Sequence, residues 1–128
     1  MVESDGKRPK RVAERIRAEL MGMLLRGAVH DPEAAQAHVT EVVMTDDLRL
    51  ARVYVRVIGD EPTAIRQRAI VKALERARGF LRRELGSKLA LRYNPELEFF
   101  WDSDVDRALR VEALLAEIER ERKERGEP

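Results

Sequence analysis

Residues 50–58 constrain the fold more than any other stretch of the chain, because apolar and polar side chains alternate along them. A period of two is typical of a β-strand that buries one face of a sheet and exposes the other. The stretch therefore predicts a sheet in a chain whose longer segments have helical spacing. Its predicted inner residues are Val53, Val55 and Val57, and its predicted outer residues are Arg52, Tyr54 and Arg56.

Two further strands are predicted. Residues 38–45 are rich in valine, and Thr45-Asp46-Asp47 supplies a turn before residues 50–58. The short connection predicts an antiparallel hairpin. Residues 96–101 predict a third strand, which points Leu97, Phe99 and Trp101 toward the core.

Apolar residues at helical spacing predict helices before, between and after these strands. The predicted inner residues of the first helix, which begins near Arg8, are Val12, Ile16, Leu20 and Met23. The last helix is capped by Ser103 or Asp104, and its predicted apolar contacts are Val111, Leu114, Leu115 and Ile118. The order of elements predicts a single α+β domain with helices on one face of a three-stranded sheet.

The segment from Ala64 to Leu91 predicts two helices that meet at Gly79. The first of them follows an acidic cap near Pro62, and the second precedes the third strand. Glu75 and Glu84 are the acidic residues among its many cations. Such a surface suits a phosphate backbone, but the same residues also describe an ordinary helix end with a solvated face. The cations between its two apolar stripes are Arg68, Lys72, Arg76, Arg78, Arg82 and Arg83.

Net charge does not decide between these interpretations, because 25 basic residues nearly balance 24 acidic residues. The charges are segregated along the chain, however. The first helix and residues 64–92 are basic, whereas residues 31–61 and 96–106 are acidic. That segregation predicts a basic face and an acidic face, as expected of a protein that approaches a polyanion from one side.

Several function classes have no support in the sequence. The chain has no cysteine, and its two histidines, His30 and His38, have no metal-ligand spacing around them. Residues 102–106 resemble the start of a calcium loop, but Arg107 and Ala113 stand where that loop needs glycine and glutamate. We therefore expect no enzyme activity, no cofactor, no small-molecule substrate and no membrane segment. We expect a cytoplasmic monomer.

Taken in order, the motifs resemble the bacterial ribosome-binding factor A family across roughly residues 8–118. The resemblance is specific because many short motifs occur in one order and spacing. They include Arg11-Val12-Ala13-Glu14-Arg15-Ile16, Asp31-Pro32, Val39-Thr40-Glu41-Val42, Ala51-Arg52-Val53-Tyr54-Val55, Ala77-Arg78-Gly79-Phe80-Leu81-Arg82-Arg83, Pro95-Glu96-Leu97-Glu98-Phe99 and Arg110-Val111-Glu112-Ala113-Leu114-Leu115.

The resemblance implies a KH-like domain of type II topology, in which the Ala-x-Gly kink Ala77-Arg78-Gly79 replaces the Gly-x-x-Gly loop. It implies an assembly factor that binds the free 30S ribosomal subunit and 16S ribosomal RNA. Such a factor assists late subunit maturation, processing of the 5′ end of the RNA and growth in the cold. We expect a KH-like domain over residues 8–118, between a flexible N-terminus (1–7) and a charged flexible tail (119–128).

The predicted RNA-binding face surrounds the kink and extends onto the first helix. Two alternatives stay open from the residues: a protein-interaction module that uses residues 52–56 or the tail, and a general KH-type binder of single-stranded RNA. The predicted RNA-binding residues are Arg11, Arg15, Arg68, Lys72, Arg76, Ala77, Arg78, Gly79, Arg82, Arg83, Lys88 and Arg92.

Overall fold

The helices and strands alternate in the predicted order. A computed structural model describes residues 7–126, so the predicted flexibility of residues 1–6 and 127–128 lies outside the described part. The elements are α1 (Lys7–Leu25), α2 (Pro32–Ala35), β1 (His38–Met44), β2 (Leu50–Arg56), α3 (Ala64–Arg76), α4 (Arg78–Leu89), β3 (Glu96–Trp101) and α5 (Asp104–Glu124).

The three strands form a mixed sheet in the order β1-β2-β3. β1 and β2 form the predicted antiparallel hairpin, with Val42 opposite Val53 and a bulge near the start of β1. β3 lies parallel to β2, with Phe99 opposite Val53. A parallel neighbour requires a crossover rather than a tight turn. The helices α3 and α4 supply that crossover.

The core lies between one face of the sheet and the helices α1, α3 and α4. Each helix presents an apolar stripe to the sheet, as its spacing predicts. The fully buried large residues are Ile16, Leu20 and Met23 of α1, Ile70 and Leu74 of α3, Leu81 and Leu85 of α4, and Val39, Val53, Val55 and Leu97 of the sheet. The prediction of helices on one face of the sheet is confirmed for these three.

The last helix, α5, is different, because none of its residues is buried. Its predicted apolar contacts are wrong: Leu114 is 47% exposed, Leu115 is 59% exposed and Ile118 is 43% exposed. Val111 is 49% exposed as well. The physical reason is position, since α5 lies outside the layer that α1, α3 and α4 form on the inner face.

A buried carboxylate ties α5 to the sheet. Asp102, which follows β3 and is 1% exposed, accepts hydrogen bonds from the Thr40 hydroxyl (2.6 Å) and from Arg110 Nη2 (2.9 Å). Arg110 Nε also donates to Glu41 (2.7 Å), and its guanidinium lies 3.9 Å from the ring centroid of Tyr54 on the outer face. In the sequence, Asp102 stands only in a segment that resembles the start of a calcium loop. Its burial makes it an anchor instead.

The pKa of Asp102 reflects opposing effects. Burial by itself raises the pKa, but the hydrogen bonds from Thr40 and Arg110 and the charges of Arg110 and Arg107 lower it by more. The net result is a pKa below the usual range of an aspartate. The anchor is therefore an ion pair at neutral pH.

One short helix and two boundaries differ from the predictions. The four-residue helix α2 was not predicted, although its Asp31 cap and Pro32 are typical start signals. The α3 cap is Thr63, whose hydroxyl accepts from the Arg66 amide (3.2 Å), rather than the acidic residues before Pro62. Residues 119–124 of the predicted tail continue α5, so the tail is helical to that point.

Candidate nucleic-acid interface

The predicted helix–break–helix is present, but the helical path breaks at Ala77. α3 ends at Arg76, Ala77 has φ −86° and ψ 0°, and α4 begins at Arg78. Gly79 therefore lies inside the first turn of α4, without a positive φ. The predicted meeting point at Gly79 is wrong by two residues, because a single residue with ψ near zero is enough to redirect the chain.

Gly79 is not required by the fold around it. A Cβ added there would meet the guanidinium of Arg83 at 3.5 Å, which is an ordinary contact. The first turn of α4 also has no side-chain cap. Arg78 and Gly79, at the start of α4, lie at the surface. The first turn of α4 is therefore accessible to a ligand.

Buried stripes on both helices hold the kink against the sheet. Ile70, Ala73 and Leu74 of α3 and Leu81 and Leu85 of α4 are each no more than 1% exposed. Burying a side chain of this size stabilises a fold by about 1.5–3 kcal/mol. The kink is therefore a fixed feature, and the basic residues on its outer side project from a rigid support.

Five of the predicted cations are exposed around this support and make no ion pair with any residue from 7 to 126. We call these five residues the open basic set. An exposed cation without a carboxylate partner keeps its full charge available to a ligand. The set comprises Arg68 and Lys72 of α3 and Arg78, Arg83 and Lys88 of α4.

Arg76 was predicted to belong with them, but it has a protein partner. Its Nη2 lies 2.9 Å from the carboxylate of Asp31, the cap of α2. The hydrogen bond from Arg76, together with that from the Glu33 amide, lowers the pKa of Asp31 below its usual range. The Arg76 charge is therefore partly neutralised where it stands.

Arg82 makes more contacts within the protein than Arg76 does. Its guanidinium donates to the carbonyls of Pro95 (3.0 Å) and Asn94 (2.8 Å) and pairs with Glu96 at 3.3 Å. These contacts fix the connection between α4 and β3. The structure therefore gives Arg82 a structural role that its sequence position did not reveal.

The remaining predicted residues lie toward the far end of α4. Arg15 donates to the carbonyl of Leu89 (2.9 Å), which joins α1 to α4. Arg11 is exposed on α1. Arg92 is exposed too, and its guanidinium lies 5.4 Å from the ring centroid of Tyr93. These residues form a second basic region, separated from the kink by the length of α4.

A groove between α3 and β3 was missed by sequence reasoning. It encloses about 380 Å³, and its polar and aromatic lining includes Arg68, Lys72 and Glu75 on the helix and Phe100 and Trp101 on the strand. Aromatic rings beside cations are typical of surfaces that bind single-stranded nucleic acid. The signal that could have found it is the aromatic run in residues 99–101, which the strand pattern assigned mostly to the core.

Neither metal chemistry nor membrane insertion finds support in residues 7–126. Across that range, no three or more carboxylate or histidine side chains are grouped so that they could hold a metal ion. Within the same part of the chain, no helix is both long enough and apolar enough to span a bilayer.

Comparison with known proteins agrees with this architecture. The chain is 45% identical over 111 residues to ribosome-binding factor A of Desulfatibacillum aliphaticivorans, covering 87% of each chain. It is 40% identical over 121 residues to that of Gloeobacter violaceus, covering 93% of this chain and 92% of the relative.

Solved structures show the same fold. The crystal structure of ribosome-binding factor A from Thermus thermophilus aligns with a TM-score of 0.60 at 23% identity, covering 72% of this chain and 93% of that one. A solution structure of a Thermotoga maritima protein aligns with a TM-score of 0.64 at 27% identity, covering 77% of this chain and 91% of that one. The model of the family described as ribosome-binding factor A matches residues 8–115. This chain belongs to the ribosome-binding factor A family.

Proposed function

We propose that the protein binds the free 30S ribosomal subunit through 16S ribosomal RNA and assists late maturation of the subunit in the cytoplasm. That role includes processing of the 5′ end of the RNA and growth in the cold, and it involves binding without catalysis. The observation that carries the proposal is the open basic set, which lies along α3 and α4 on both sides of the kink and has no carboxylate partner among residues 7–126. Membership of a family named for ribosome binding supports the ribosome as the partner.

Phosphates are the ligands that this surface suits best. A guanidinium or ammonium group at an exposed site exchanges counterions for phosphate contacts, which gives affinity without sequence information. Arg78 stands at the uncapped start of α4, where backbone amides and the helix dipole also favour an anion. We expect the kink to place the protein on the RNA backbone.

The groove between α3 and β3 adds a place for an unpaired strand. Arg68 and Lys72 line one side, while Phe100, which is 37% exposed, and Trp101 line the other. RNA in single-stranded form can present its phosphates to the cations and its bases to the rings. We therefore expect contacts with a single-stranded or unstacked segment near the kink.

The test is co-sedimentation with free 30S, 50S and 70S particles at several salt concentrations. The triple variant Arg68→Ala, Lys72→Ala and Arg78→Ala removes three members of the open basic set. We expect stable binding of the parent protein to free 30S particles. The triple variant should bind more weakly, with a salt dependence flatter by roughly one unit of slope per lost phosphate contact.

The matched control removes three cations at the end of α5, far along the chain from the kink: Arg120→Ala, Arg122→Ala and Lys123→Ala. This control should keep the parent salt slope. An unchanged slope in the kink variant, or an equal loss in the α5 variant, would show that the interface lies elsewhere. Circular dichroism of each variant separates weakened binding from loss of fold.

A second candidate, binding to a ribosomal protein, is favoured by α5. The predicted route through the outer strand face loses support, because Arg56 is bound to the carbonyl of Asp102 (2.9 Å) and to the carboxylates of Asp104 and Glu61. The exposed apolar residues of α5 provide a different surface. Pull-down of ribosomal proteins that survives nuclease treatment, and is lost in Leu115→Asp, would favour this candidate.

A further inference from the structure

A second cavity lies at the other end of α4 from the kink. It encloses about 320 Å³ between the first turn of α1, the β1–β2 turn and the loop after α4. That volume lies at the lower end of the range of about 300–1,000 Å³ that small-molecule sites occupy. The side chains that matter for its chemistry are Arg8, Asp46, Asp47, Leu48, Arg92 and Tyr93.

Tyr93 is an exposed aromatic ring among cations. It is 46% exposed, and the guanidinium carbons of Arg49 and Arg92 each lie 5.4 Å from its ring centroid. An aromatic face next to guanidinium planes is the surface on which proteins stack unpaired bases. Tyr93 is therefore a surface ring, not a core contact, and a base that binds here displaces one of these guanidinium groups from the ring or stacks on it in turn.

The backbone around this cavity is held in an unusual shape. Leu48 (φ 62°) and Ala90 (φ 50°) are the two non-glycine residues with positive φ in the described range. Leu48 lines this cavity, and both residues line the smaller one that adjoins it. Left-handed backbone at a residue with a Cβ costs roughly 1–2 kcal/mol. Such strain tends to concentrate where a protein binds something, and here it falls on one site.

The cavity is lined by cations and by carboxylates, and not all of these charges are available to a ligand. Arg8 and Arg92 are exposed and have no ion-pair partner among residues 7–126. Asp46 is exposed and unbonded over the same range, whereas Asp47 is occupied by the Thr45 hydroxyl (2.7 Å) and the Arg49 amide (3.1 Å). The site thus offers cations for a phosphate and one available carboxylate for a hydrogen-bond donor.

A carboxylate selects among the bases. Guanine alone has two adjacent donors, N1–H and N2–H, on its Watson–Crick edge, and one carboxylate can accept both. Adenine and cytosine offer one amino group beside an acceptor, and the single N3–H of uracil lies between two carbonyls that a carboxylate repels. Asp46 therefore favours guanine.

We propose that this cavity binds an unpaired guanine nucleotide of ribosomal RNA. The base stacks on Tyr93 with its Watson–Crick edge toward Asp46, and the phosphate lies toward Arg8 and Arg92. The inference rests on the proposed function, which it deepens by adding a base-selective contact to a phosphate-binding surface. The RNA would then span α4 from the kink to this cavity, about 18 Å at 1.5 Å per residue.

The direct test measures binding of fluorescent five-nucleotide RNAs to the full chain by anisotropy. The RNAs are UUGUU, UUAUU and UUUUU, and free GMP is titrated separately. We expect UUGUU to bind about tenfold more tightly than the other two, the discrimination of one good bidentate contact. Equal affinity for UUGUU and UUUUU overturns the inference. Free GMP that binds as tightly as UUGUU also overturns it, in favour of a free nucleotide.

Two variants locate the contact. Asp46→Ala should lower UUGUU affinity to that of UUAUU, while the matched control Asp60→Ala, another exposed loop aspartate, should change nothing. Tyr93→Ala should weaken all three RNAs at least fivefold through lost stacking. Tyr93→Leu, which keeps apolar bulk without a stacking face, should do the same if Tyr93→Ala fails to fold. Full affinity in a folded Tyr93 variant overturns the inference.

The test of guanine binding at this cavity can fail or succeed independently of the test of 30S binding. If the kink triple variant loses 30S binding while Asp46→Ala keeps the guanine preference of the parent, the proposed function stands and this cavity does not read the base. If the guanine preference depends on Asp46 but no protein sediments with 30S particles, the cavity is confirmed and the ribosomal partner is wrong.

Discussion

Helices α1 and α5 are similar in length and both carry apolar residues at helical spacing, but only α1 buries its apolar face. α1 has 19 residues and α5 has 21. Leu20 of α1 is 1% exposed, whereas Leu115 of α5 is 59% exposed. An apolar stripe thus indicates which face a helix would bury. It does not indicate that another element is present to cover that face.

The two helices are also held by different forces. α1 packs its apolar residues on the sheet, so its stability comes from the hydrophobic effect. α5 is held by polar contacts: Arg110 with Asp102 and Glu41, and Lys10 of α1 with Glu117 at 2.9 Å. The Lys10–Glu117 contact is exposed and weakens with salt, whereas the Arg110–Asp102 pair is buried, is screened less and responds to protonation of Asp102. The attachment of α5 to the domain therefore depends on both salt and pH.

The largest expected difference comes from equivalent truncations in the two helices. Leu20→Ala should lower the free energy of unfolding by about 2–5 kcal/mol, because it leaves a cavity in the core. Leu115→Ala should change it by less than about 0.5 kcal/mol, as for other exposed positions. Urea denaturation measures both. A loss above about 1 kcal/mol in Leu115→Ala would mean that the α5 stripe is covered in solution.

A smaller effect is expected at the anchor, and it should depend on pH. The folded pKa of Asp102 lies below its ordinary value of about 3.9. Its ion pair therefore stabilises the fold fully above about pH 4, and that stabilisation is lost as the pH falls through the folded pKa. Asp102→Asn should cost about 1–3 kcal/mol at pH 7, because a buried acceptor loses its charge.

Urea denaturation at pH 7 and at pH 3 checks this dependence. The difference between the parent protein and Asp102→Asn should shrink at the lower pH. Asp60→Asn, at an exposed loop position, serves as the control and should match the parent at both pH values. A difference that stays constant between pH 7 and pH 3 would show that the anchor does not depend on the charge of Asp102.

The smallest effect is expected at the caps of α3 and α5. Thr63 accepts from the Arg66 amide at 3.2 Å, and Ser103 accepts from the Asp106 amide at 3.0 Å. Thr63→Ala should cost about 1 kcal/mol of global stability, because α3 is part of the core layer. Ser103→Ala should leave global stability nearly unchanged and speed amide exchange at the start of α5.

Amide hydrogen exchange measured residue by residue distinguishes the two caps. If Ser103→Ala lowers global stability as much as Thr63→Ala does, α5 folds as one unit with the core, and the contrast between the helices is wrong.

Local structure and inner faces could be predicted well from the sequence. The alternation in residues 52–56, the hairpin at Thr45-Asp46-Asp47 and the stripe through Ile16 and Leu20 all appear as predicted. Each follows from backbone periodicity, which is a property of neighbouring residues. Val57, predicted to be an inner strand residue, lies beyond the end of β2 and is only partly buried. The break at Ala77 was not located, because one residue with ψ near zero leaves no periodic signal. The helix α2 was not located, because four residues are too few to show helical periodicity.

The sequence predicted where the candidate interface lies, but not which of its cations are available to a ligand. Arg76 and Arg82 look equivalent to Arg78 in the sequence, yet both are bound to protein acceptors. Tyr93 had no predicted role. It became a candidate only when the structure placed Arg49 and Arg92 beside its ring.

By itself, the sequence determined the types of the elements, their inner faces and the family, because these depend on residue order and local spacing. Only the tertiary structure decided which cations are available and that α5 stays uncovered. The physical reason is that a charge is neutralised by whichever residue lies beside it. Arg76 and Asp31 are 45 positions apart, and Arg110 and Glu41 are 69 apart, so their pairing is decided by the packing of the whole chain.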